Sequence, residues 1–378
     1  MRYDIVVISG GIIGSSIDYH LAHDGRAGEV AVIERDPSYG EAAPPRGSGG
    51  IRRLFSLPEN VAMSGYGLPF YQNFSETMAV PNRAGKNGTG KADPADISFR
   101  RQGYLFVSDG GDAAIMEANF RDQEGLGVKA ELLDGPGLSS LFPAIRTDDV
   151  DLAVYSPDDA WIDAYAALQG FKRKARNLGV SYRQETVEAA DFSNAKIKAV
   201  TCASGERIEA DLFILAAGAW SGALGTLLGI DLPVEPMSRE SYFFRCAAAL
   251  EPLPFIKTET DLAFHPEGTG YTGGLEFRTR PYPVRGDCLA SPGTPGARDG
   301  DPEARTRLAR SLCPQPPGLQ RHHWSVGDRA IQSLCRYRFF RSRHHAPARN
   351  RPGDSRTDPR RTLRNHGFEP LRHRPDTA

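Results

Sequence analysis

Hydrophobic residues at the start of the chain are grouped in a way that predicts a strand, a helix and a second strand. Residues 4–9, DIVVIS, form an almost continuous apolar run, which is typical of a parallel strand buried on both faces. Next, Ile17 and Leu21 repeat at helical spacing, and Gly25 ends the pattern. A second apolar run occupies residues 30–33. Because a helical crossover joins parallel strands, this unit predicts the start of a doubly wound sheet.

The middle of the chain predicts a second, more antiparallel region. Residues 80–96 are rich in Gly, Pro, Asn and Lys, so we expect an exposed loop there. After this loop, the apolar segments 103–108 and 152–156 have the composition of strands.

The chain then returns to the first sheet. A helix is expected after Ile162 and should close at Gly179. It is followed by four strand-like segments, at residues 180–183, 185–192, 196–202 and 206–218. Residues 212–215 within the last segment are all apolar, which predicts another buried parallel strand.

Composition narrows the class of protein. With 378 residues, of which 40% are hydrophobic, the chain can form a large core and two domains. The net charge of -1 gives no reason to expect nucleic acid or an acidic membrane surface as a partner. Five scattered cysteines without metal-like spacing predict neither a metal site nor disulfides, and they fit a reducing compartment. Without a signal peptide or membrane span, we expect a soluble cytoplasmic protein, and its oligomeric state is open.

The turn after the first strand has the chemistry of a dinucleotide site. Residues 9–14 read SGGIIG, so Gly11 and Gly14 match the last two glycines of GxGxxG, while Ser9 replaces the first. Such glycines let phosphates approach backbone N–H groups at a helix N-terminus. Glu34, twenty residues after Gly14, ends the next strand and is placed to bind ribose hydroxyls. The alternative is a glycine turn in an unrelated α/β protein with a solvent-facing glutamate.

Two more segments combine glycine with charge or aromatic residues. Residues 48–53, SGGIRR, allow close backbone approach and carry two arginines that suit a flavin edge or a carboxylate, although a solvated basic turn would look the same. Residues 216–221, AAGAWS, end the last apolar strand with small residues that let the backbone pass beside a nucleotide. Trp220 in this segment either caps the turn or simply packs in the core.

These motifs together resemble the D-amino-acid oxidase superfamily, in its glycine oxidase, sarcosine oxidase and dimethylglycine-dehydrogenase-like branch. The resemblance rests on VVISGGIIGSSIDYHLA, VIERDPSYG, GSGGIRR, TVEAADF and ADLFILAAGAWSGALGTLLGIDLPVEPMSRE, in family order, and runs from Met1 to about Gly274. It implies an α/β fold with a doubly wound, Rossmann-like FAD-binding domain, at about residues 1–80 and 155–230. An α+β antiparallel-sheet substrate domain would be interleaved at about 81–154 and 231–274.

The resemblance also implies the FAD-binding residues. Gly11, Ile12, Ile13 and Gly14 would hold the pyrophosphate, and Glu34 and Arg35 would hold the adenosine ribose. The backbone of Val187 would contact the adenine, and Ala217, Gly218 and Trp220 would contact the nucleotide near its phosphates. Gly49, Gly50 and Ile51 would lie along the flavin. In this family a hydride passes from the carbon bearing the amine to the flavin, and the protein chiefly orients the reactants. The implied substrate is a secondary or tertiary amine or a small amino acid, with oxygen or a carrier as electron acceptor. No catalytic side chain stands out, but Arg52 and Arg101 are candidates for binding a carboxylate.

The resemblance to the family ends at about Gly274. Beyond it, at residues 275–378, the chain is rich in Arg, Pro and His, contains no lysine and has poor periodicity, so we expect an irregular tail. Residues 339–346, FFRSRHHA, can be encoded so that a one-base forward shift reads FSGHGIMH, which resembles the family's flavin-contacting loop. The same shift lets residues 289–298 read WPALAHRVP and residues 318–326 read DFNGIIGPW, both also family-like. These matches indicate a frameshift between Gly274 and Arg285.

Three alternatives follow from the same residues. An NAD-dependent dehydrogenase uses the same fingerprint, although the AAGAW and SGGIRR segments argue against it. A non-catalytic relic could retain the nucleotide-binding fold. The arginines after Gly274 could instead form a basic tail that binds nucleic acid.

Overall fold

The computed structural model describes residues 1–81, 92–108, 111–193, 196–236, 241–246, 250–258 and 262–275. Apart from Leu275, the tail expected over residues 275–378 lies outside these ranges, as do the three segments that carry the frameshift argument.

The described chain contains both helices and strands. Its helices are α1 (Ile12–Asp24), α2 (Pro58–Gln72), α3 (Phe74–Thr77), α4 (Ala113–Gly125), α5 (Gly135–Leu141), α6 (Ala164–Asn177) and α7 (Ser221–Leu227). Its strands are β1 (Arg2–Ile8), β2 (Val30–Glu34), β3 (Gly50–Ile51), β4 (Val80–Pro81), β5 (Ala92–Asp93), β6 (Tyr104–Ser108), β7 (Glu131–Leu133), β8 (Leu152–Ser156), β9 (Ala160–Trp161), β10 (Ser181–Gln184), β11 (Val187–Ser193), β12 (Lys196–Cys202), β13 (Arg207–Leu215), β14 (Tyr242–Phe244), β15 (Phe255–Thr258), β16 (Leu262–Glu267) and β17 (Gly270–Leu275).

The first sheet has six strands in the order β10-β2-β1-β13-β12-β11. β10, β2, β1 and β13 run parallel, and β12 and β11 continue the sheet antiparallel. Tyr19 of α1 and Phe171 of α6 pack with Val7 and Val32 on one face of the sheet. Leucines of α7 pack against strand residues that include Ile8 on the other face. The doubly wound α/β fold expected from the sequence is therefore confirmed.

Local sequence sets the limits of the two helices on the first face. α1 ends where Gly25 adopts a left-handed conformation with φ of 74°, which glycine reaches without steric cost. α6 begins at Asp163, whose carboxylate accepts a hydrogen bond from the Ala166 N–H at 2.9 Å and caps the helix. The expected end of α6 near Gly179 is also confirmed, since α6 ends at Asn177.

The second sheet has seven strands in the order β14-β17-β16-β15-β6-β8-β7. Every neighbouring pair is antiparallel except β15 and β6, which are parallel. Alternating residues of its strands face two separate cores: Leu105 and Ile256 lie in one, and Tyr104 and Phe255 lie in the other. The expectation of a second, mostly antiparallel region is confirmed.

Two details differ from the sequence analysis. Residues 80–96 are not all loop, because β4 and β5 pair across the segment 82–91, which lies outside the described residues. β13 runs parallel to β1 as expected, but its apolar end at residues 212–215 is not fully buried: Leu212 is 52% exposed. The reason is its pairing, because β12 accompanies β13 only as far as Glu209. Among the described residues, no strand pairs with the other edge of residues 211–215.

Within the described ranges, none of the helices combines the length and the apolar character needed to cross a membrane.

Candidate cofactor and substrate site

The turn between β1 and α1 has the shape that the fingerprint requires. Ser9, which replaces the first glycine, adopts a left-handed conformation with φ of 79°, as a glycine would. A Cβ atom on Gly14 would collide with the carbonyl oxygen of Ser9, so the helix can approach the strand only with glycine there. A Cβ atom on Gly11 would have no neighbour within 4 Å. The third glycine therefore serves packing, and Gly11 leaves the surface open for a ligand.

The start of α1 can accept an anion. Gly11 is the N-cap residue, and no side chain caps the first N–H groups of the helix. These N–H groups and the helix dipole favour a phosphate at this position. Ile13, in the first turn, is 64% exposed. The open face at Gly11, Ile12 and Ile13 thus fits the pyrophosphate of a dinucleotide.

Glu34 is buried and points back into the turn. Glu34 is only 8% exposed, so it is not a solvent-facing glutamate. Its Oε2 accepts hydrogen bonds from the Ser9 hydroxyl at 3.1 Å and the Gly10 N–H at 2.8 Å. Its Oε1 accepts one from the Asp36 N–H at 2.9 Å. The carboxylate is held at the end of β2 and keeps acceptor capacity for a further donor.

Arg35 and Trp220 lie together, although they are distant in sequence. The Arg35 guanidinium carbon lies 4.5 Å from the centroid of the Trp220 ring, which is a cation–π contact. Arg35 also lies 3.5 Å from the Glu41 carboxylate. Because Trp220 is only partly buried, plain core packing does not describe its role. The two residues form one wall after the carboxyl ends of β2 and β13.

The other nucleotide-binding candidates lie near the same edge. Ala217 is buried, and Gly218 has φ of 53° with open space where a Cβ atom would be. The Ala216 N–H donates to the Ile8 carbonyl at 3.0 Å, which fixes this segment against β1. Val187, at the start of β11, is buried in the core that also contains Ile8.

Gly49, Gly50 and Ile51 connect the first sheet to the second. Gly50 pairs with Trp161 and Ile51 pairs with Ala160, so β3 and β9 form a short antiparallel ladder. Gly49 has φ of 62°, and a Cβ atom there would collide with a carbonyl oxygen of the chain. A Cβ atom on Gly50 would collide with the Tyr104 hydroxyl. Both glycines are therefore required by close packing.

An aromatic layer lies beneath Gly50. Tyr104 and Phe255 are stacked with ring centroids 4.3 Å apart, and Trp161 contacts His265 at 5.1 Å. His265 is 2% exposed, and burial lowers its pKa, so the ring is held neutral. These residues were not predicted from the sequence. The available signal was the alternation of aromatic and aliphatic residues along β6.

A cavity of about 310 Å³ lies beside this layer. Its lining residues with charged or aromatic side chains are Arg52, Phe55, Phe106, Asp112 and Lys257. The Arg52 guanidinium lies 4.6 Å from the Phe55 ring centroid and 5.2 Å from that of Phe106. The two cations outnumber the one carboxylate in the lining, so the cavity suits a small ligand that carries a carboxylate. Sequence reasoning selected Arg52 but missed Lys257, which lies on a distant strand.

Arg101 is not in this cavity. Its guanidinium forms an ion pair with Asp158, and its side chain is 49% exposed. The two arginine candidates are therefore not brought together. Arg52 adjoins Gly50 and Ile51, whereas Arg101 belongs to a surface ion pair.

Asp159 anchors the segment that carries Arg52. It is fully buried, and its Oδ2 accepts a hydrogen bond from the Arg53 N–H at 3.0 Å. Burial raises the pKa of Asp159 to about 6, despite hydrogen bonds that lower it. This carboxyl holds the backbone after β3 in place. No group of acidic, cysteine or histidine residues suited to a metal ion occurs in the described part of the chain.

The chain belongs to the D-amino-acid oxidase family of FAD-dependent oxidoreductases, whose family model matches residues 4–349. The match extends beyond Gly274, where the resemblance to the family was predicted to end. FAD is the cofactor of this family, and the open Gly11 face, the uncapped start of α1 and the Arg35–Trp220 wall fit it. An NAD-dependent dehydrogenase is therefore excluded.

Similar proteins support the same assignment. The chain is 34% identical to FAD-dependent oxidoreductase domain-containing protein 1 of Xenopus laevis, over 71% of this chain and 59% of that protein. It is 30% identical to a glycine oxidase of Bacillus licheniformis, over 63% of this chain and 60% of the relative. The chain thus spans about three fifths of the length of these relatives. A solved structure of glycine oxidase from Bacillus cereus has the same fold, with a TM-score of 0.60 at 21% identity over 82% of this chain and 77% of the other.

Proposed function

We propose that this protein oxidises a small amino acid or a secondary or tertiary amine that carries a carboxylate. When bound, FAD supplies a hydride acceptor, and the protein binds and orients the substrate. The observation that carries the proposal is the cavity lined by Arg52, which directly follows the segment expected to lie along the flavin. The glycine oxidase relative acts in the same class of chemistry by its name.

Arg52 suits the carboxylate better than Arg101 does. Its guanidinium is partly buried between two aromatic rings, so its geometry is restricted before a ligand binds. A planar guanidinium forms two parallel hydrogen bonds with a carboxylate. Lys257 adds a second positive charge at the cavity wall. Arg101 already has a carboxylate partner in Asp158.

The test compares Arg52→Met with the matched variant Arg101→Met. Anaerobic mixing with sarcosine, glycine or D-alanine measures reduction of the bound flavin at several substrate concentrations. Loss of a charge-assisted pair of about 1.5–3 kcal/mol should raise the half-saturating concentration of Arg52→Met at least tenfold. Arg101→Met should behave as the unmodified protein. Equal effects of the two substitutions would remove Arg52 from the substrate site.

The FAD contacts implied by the resemblance are part of the proposal. We assign the pyrophosphate to Gly11, Ile12, Ile13 and Gly14, and the ribose to the remaining acceptor capacity of Glu34 with Arg35 beside it. The adenine is assigned to the backbone of Val187, the phosphate side of the nucleotide to Ala217, Gly218 and Trp220, and the flavin to Gly49, Gly50 and Ile51. The domain boundaries are proposed as before: about 1–80 and 155–230 for FAD, and 81–154 and 231–274 for the substrate. We also propose a cytoplasmic location from the scattered cysteines.

We further infer that the residues after about Gly274 are translated from a shifted frame, although the family model matches the present frame as far as residue 349. The support is the lysine-free, arginine-dense composition and the three collinear family-like readings in one alternative frame. The chain would then be an impaired form of the enzyme. Sequencing the gene across the Gly274 codon tests the inference directly, since an uninterrupted family-like frame without an indel would refute it.

A further inference from the structure

A chain of polar groups connects a buried carboxyl to the fingerprint turn. Asp18 of α1 is fully buried, and its Oδ2 lies 2.5 Å from the Tyr182 hydroxyl. The Tyr182 hydroxyl lies 3.0 Å from the Ser15 hydroxyl. Ser15 in turn donates to the Gly10 carbonyl at 2.8 Å. The Gly10 peptide is thus held on one side by Ser15 and on the other by Glu34, which accepts from its N–H.

The number of available hydrogens determines the protonation state of Asp18 in this series of hydrogen bonds. Three contacts link Asp18, Tyr182, Ser15 and the Gly10 carbonyl, and each needs one hydrogen. With an ionised Asp18, only the two hydroxyl groups supply hydrogens, and one contact joins two oxygens without a proton. With a neutral Asp18, the acid donates to Tyr182, Tyr182 donates to Ser15, and Ser15 donates to Gly10. Only the neutral acid satisfies all three contacts.

We propose that Asp18 is a positioning residue, held as the neutral acid, and that its hydrogen-bond chain fixes the Gly10–Gly11 turn for the FAD pyrophosphate. FAD binding is therefore coupled to the proton on Asp18. When Asp18 ionises, Tyr182 turns its hydrogen toward the carboxylate. Ser15 then has one hydrogen for two acceptors, Tyr182 and the Gly10 carbonyl, so its anchor on the turn is weakened.

The surroundings of Asp18 favour this state. Burial is the largest influence and raises the pKa of Asp18 to about 7, against the lowering effect of the Tyr182 hydrogen bond. Tyr39, after β2, is a neutral neighbour, and Glu34 at the end of β2 is negative. Lys172 of α6 is the cation on this side, with its Nζ 5.6 Å from the Tyr182 ring centroid. β1 contributes apolar residues such as Val7 to the same core.

The experiment measures the FAD dissociation constant of the full chain by flavin fluorescence at about pH 6 and about pH 8.5, on either side of the Asp18 transition. The unmodified protein should bind about three- to tenfold more weakly at the higher pH, which corresponds to the loss of one hydrogen bond. Asp18→Asn should bind equally at both, because its amide donates to Tyr182 at any pH. Tyr182→Phe should bind weakly at both. Asp24→Asn, at the exposed end of α1, should keep the pH dependence of the unmodified protein.

Equal FAD affinity of the unmodified protein at the two pH values would overturn the proposal, as would an unchanged pH dependence in Asp18→Asn. If Asp18→Asn does not fold, infrared difference spectroscopy of the unmodified protein replaces it. Isotopic labelling of the aspartates should then reveal the carbonyl band of a protonated acid at the lower pH and its loss at the higher one. Absence of that band at the lower pH would also overturn the proposal.

Discussion

Ser9 donates its hydroxyl hydrogen to Glu34 at 3.1 Å while its own backbone occupies the left-handed region, with φ of 79°. Serine thus replaces the first glycine of the fingerprint. Its backbone is strained in the left-handed region, but its hydroxyl forms a charge-assisted hydrogen bond that glycine could not form. This relationship joins the turn after β1 to the end of β2, the two points that a dinucleotide must contact.

Substitution of Ser9 separates these two effects. Ser9→Gly removes the strain and the hydroxyl, whereas Ser9→Ala removes only the hydroxyl. Because a left-handed conformation costs a non-glycine residue about 1–2 kcal/mol, Ser9→Gly should be more stable than Ser9→Ala by about that free energy of unfolding. Urea denaturation of both variants measures the difference. An alanine variant as stable as the glycine variant would show that the turn is not strained.

Gly11 and Gly14 should respond differently to alanine. Gly14→Ala should unfold or strongly destabilise the chain, because its Cβ atom would collide with the Ser9 carbonyl. Gly11→Ala should fold with little change in stability, because nothing lies within 4 Å of its Cβ position, but it should bind FAD more weakly. Thermal unfolding and FAD titration of both variants test this. A Gly11→Ala protein with normal FAD affinity would move the pyrophosphate away from this face.

Removal of the Glu34 carboxylate should weaken FAD binding. Charge-assisted hydrogen bonds contribute about 1.5–3 kcal/mol, so Glu34→Ala should raise the FAD dissociation constant at least tenfold in a calorimetric titration. Glu59→Ala, at the exposed start of α2, provides the control. If both variants bind FAD equally well, Glu34 has only a structural role.

Protonation of Asp18 should make the free energy of unfolding depend on pH. An acid with a raised pKa in the folded state stabilises the fold fully below its unfolded value, near 3.8, and this stabilisation is lost as the pH rises through about 7. The unfolding free energy of the unmodified protein relative to Asp18→Asn should therefore fall by about 2–4 kcal/mol between these pH values. Denaturation at several pH values measures it. A difference that rises with pH would contradict the raised pKa.

Local patterns predicted much of the fold and the geometry of the turn after β1. The strand, turn and helix around Gly11 follow from short-range periodicity, and Glu34 lies where its spacing from Gly14 places it. Pairing across long sequence separations could not be predicted in the same way. Arg52 and Arg101 look equivalent in the sequence. The structure distinguishes them, because Arg101 forms an ion pair with Asp158 whereas Arg52 lines the cavity.

Burial depends on neighbours that periodicity does not specify. The apolar run at Leu212 predicted a buried strand, but Leu212 is exposed, because no strand in the described part of the chain pairs with one edge of residues 211–215. A signal for Asp18 was available, because it interrupts the apolar face of α1 four residues after Gly14. Its partner Tyr182 lies on a strand far along the chain, so the hydrogen-bond chain itself required the structure.

A frame-corrected chain should be a better enzyme than the present one. Restoring the family-like reading after about Gly274 would supply the loop that resembles the flavin-contacting segment. Flavin content per chain and turnover should both increase, since orientation is most of what the protein contributes to a cofactor reaction. Parallel expression of the two versions measures both quantities. Equal flavin content and turnover would require the frameshift inference to be withdrawn.

The most direct test of the proposed function is anaerobic reduction of the bound flavin by a small amine. The frame-corrected protein, loaded with FAD, is mixed without oxygen with sarcosine, glycine, D-alanine and matched amines that lack a carboxylate. We expect the flavin absorbance to bleach with at least one of the carboxylate-bearing substrates, and more slowly or not at all with its matched amine. A fully loaded protein whose flavin stays oxidised with every one of these compounds would contradict the assignment as an amine or amino-acid oxidoreductase.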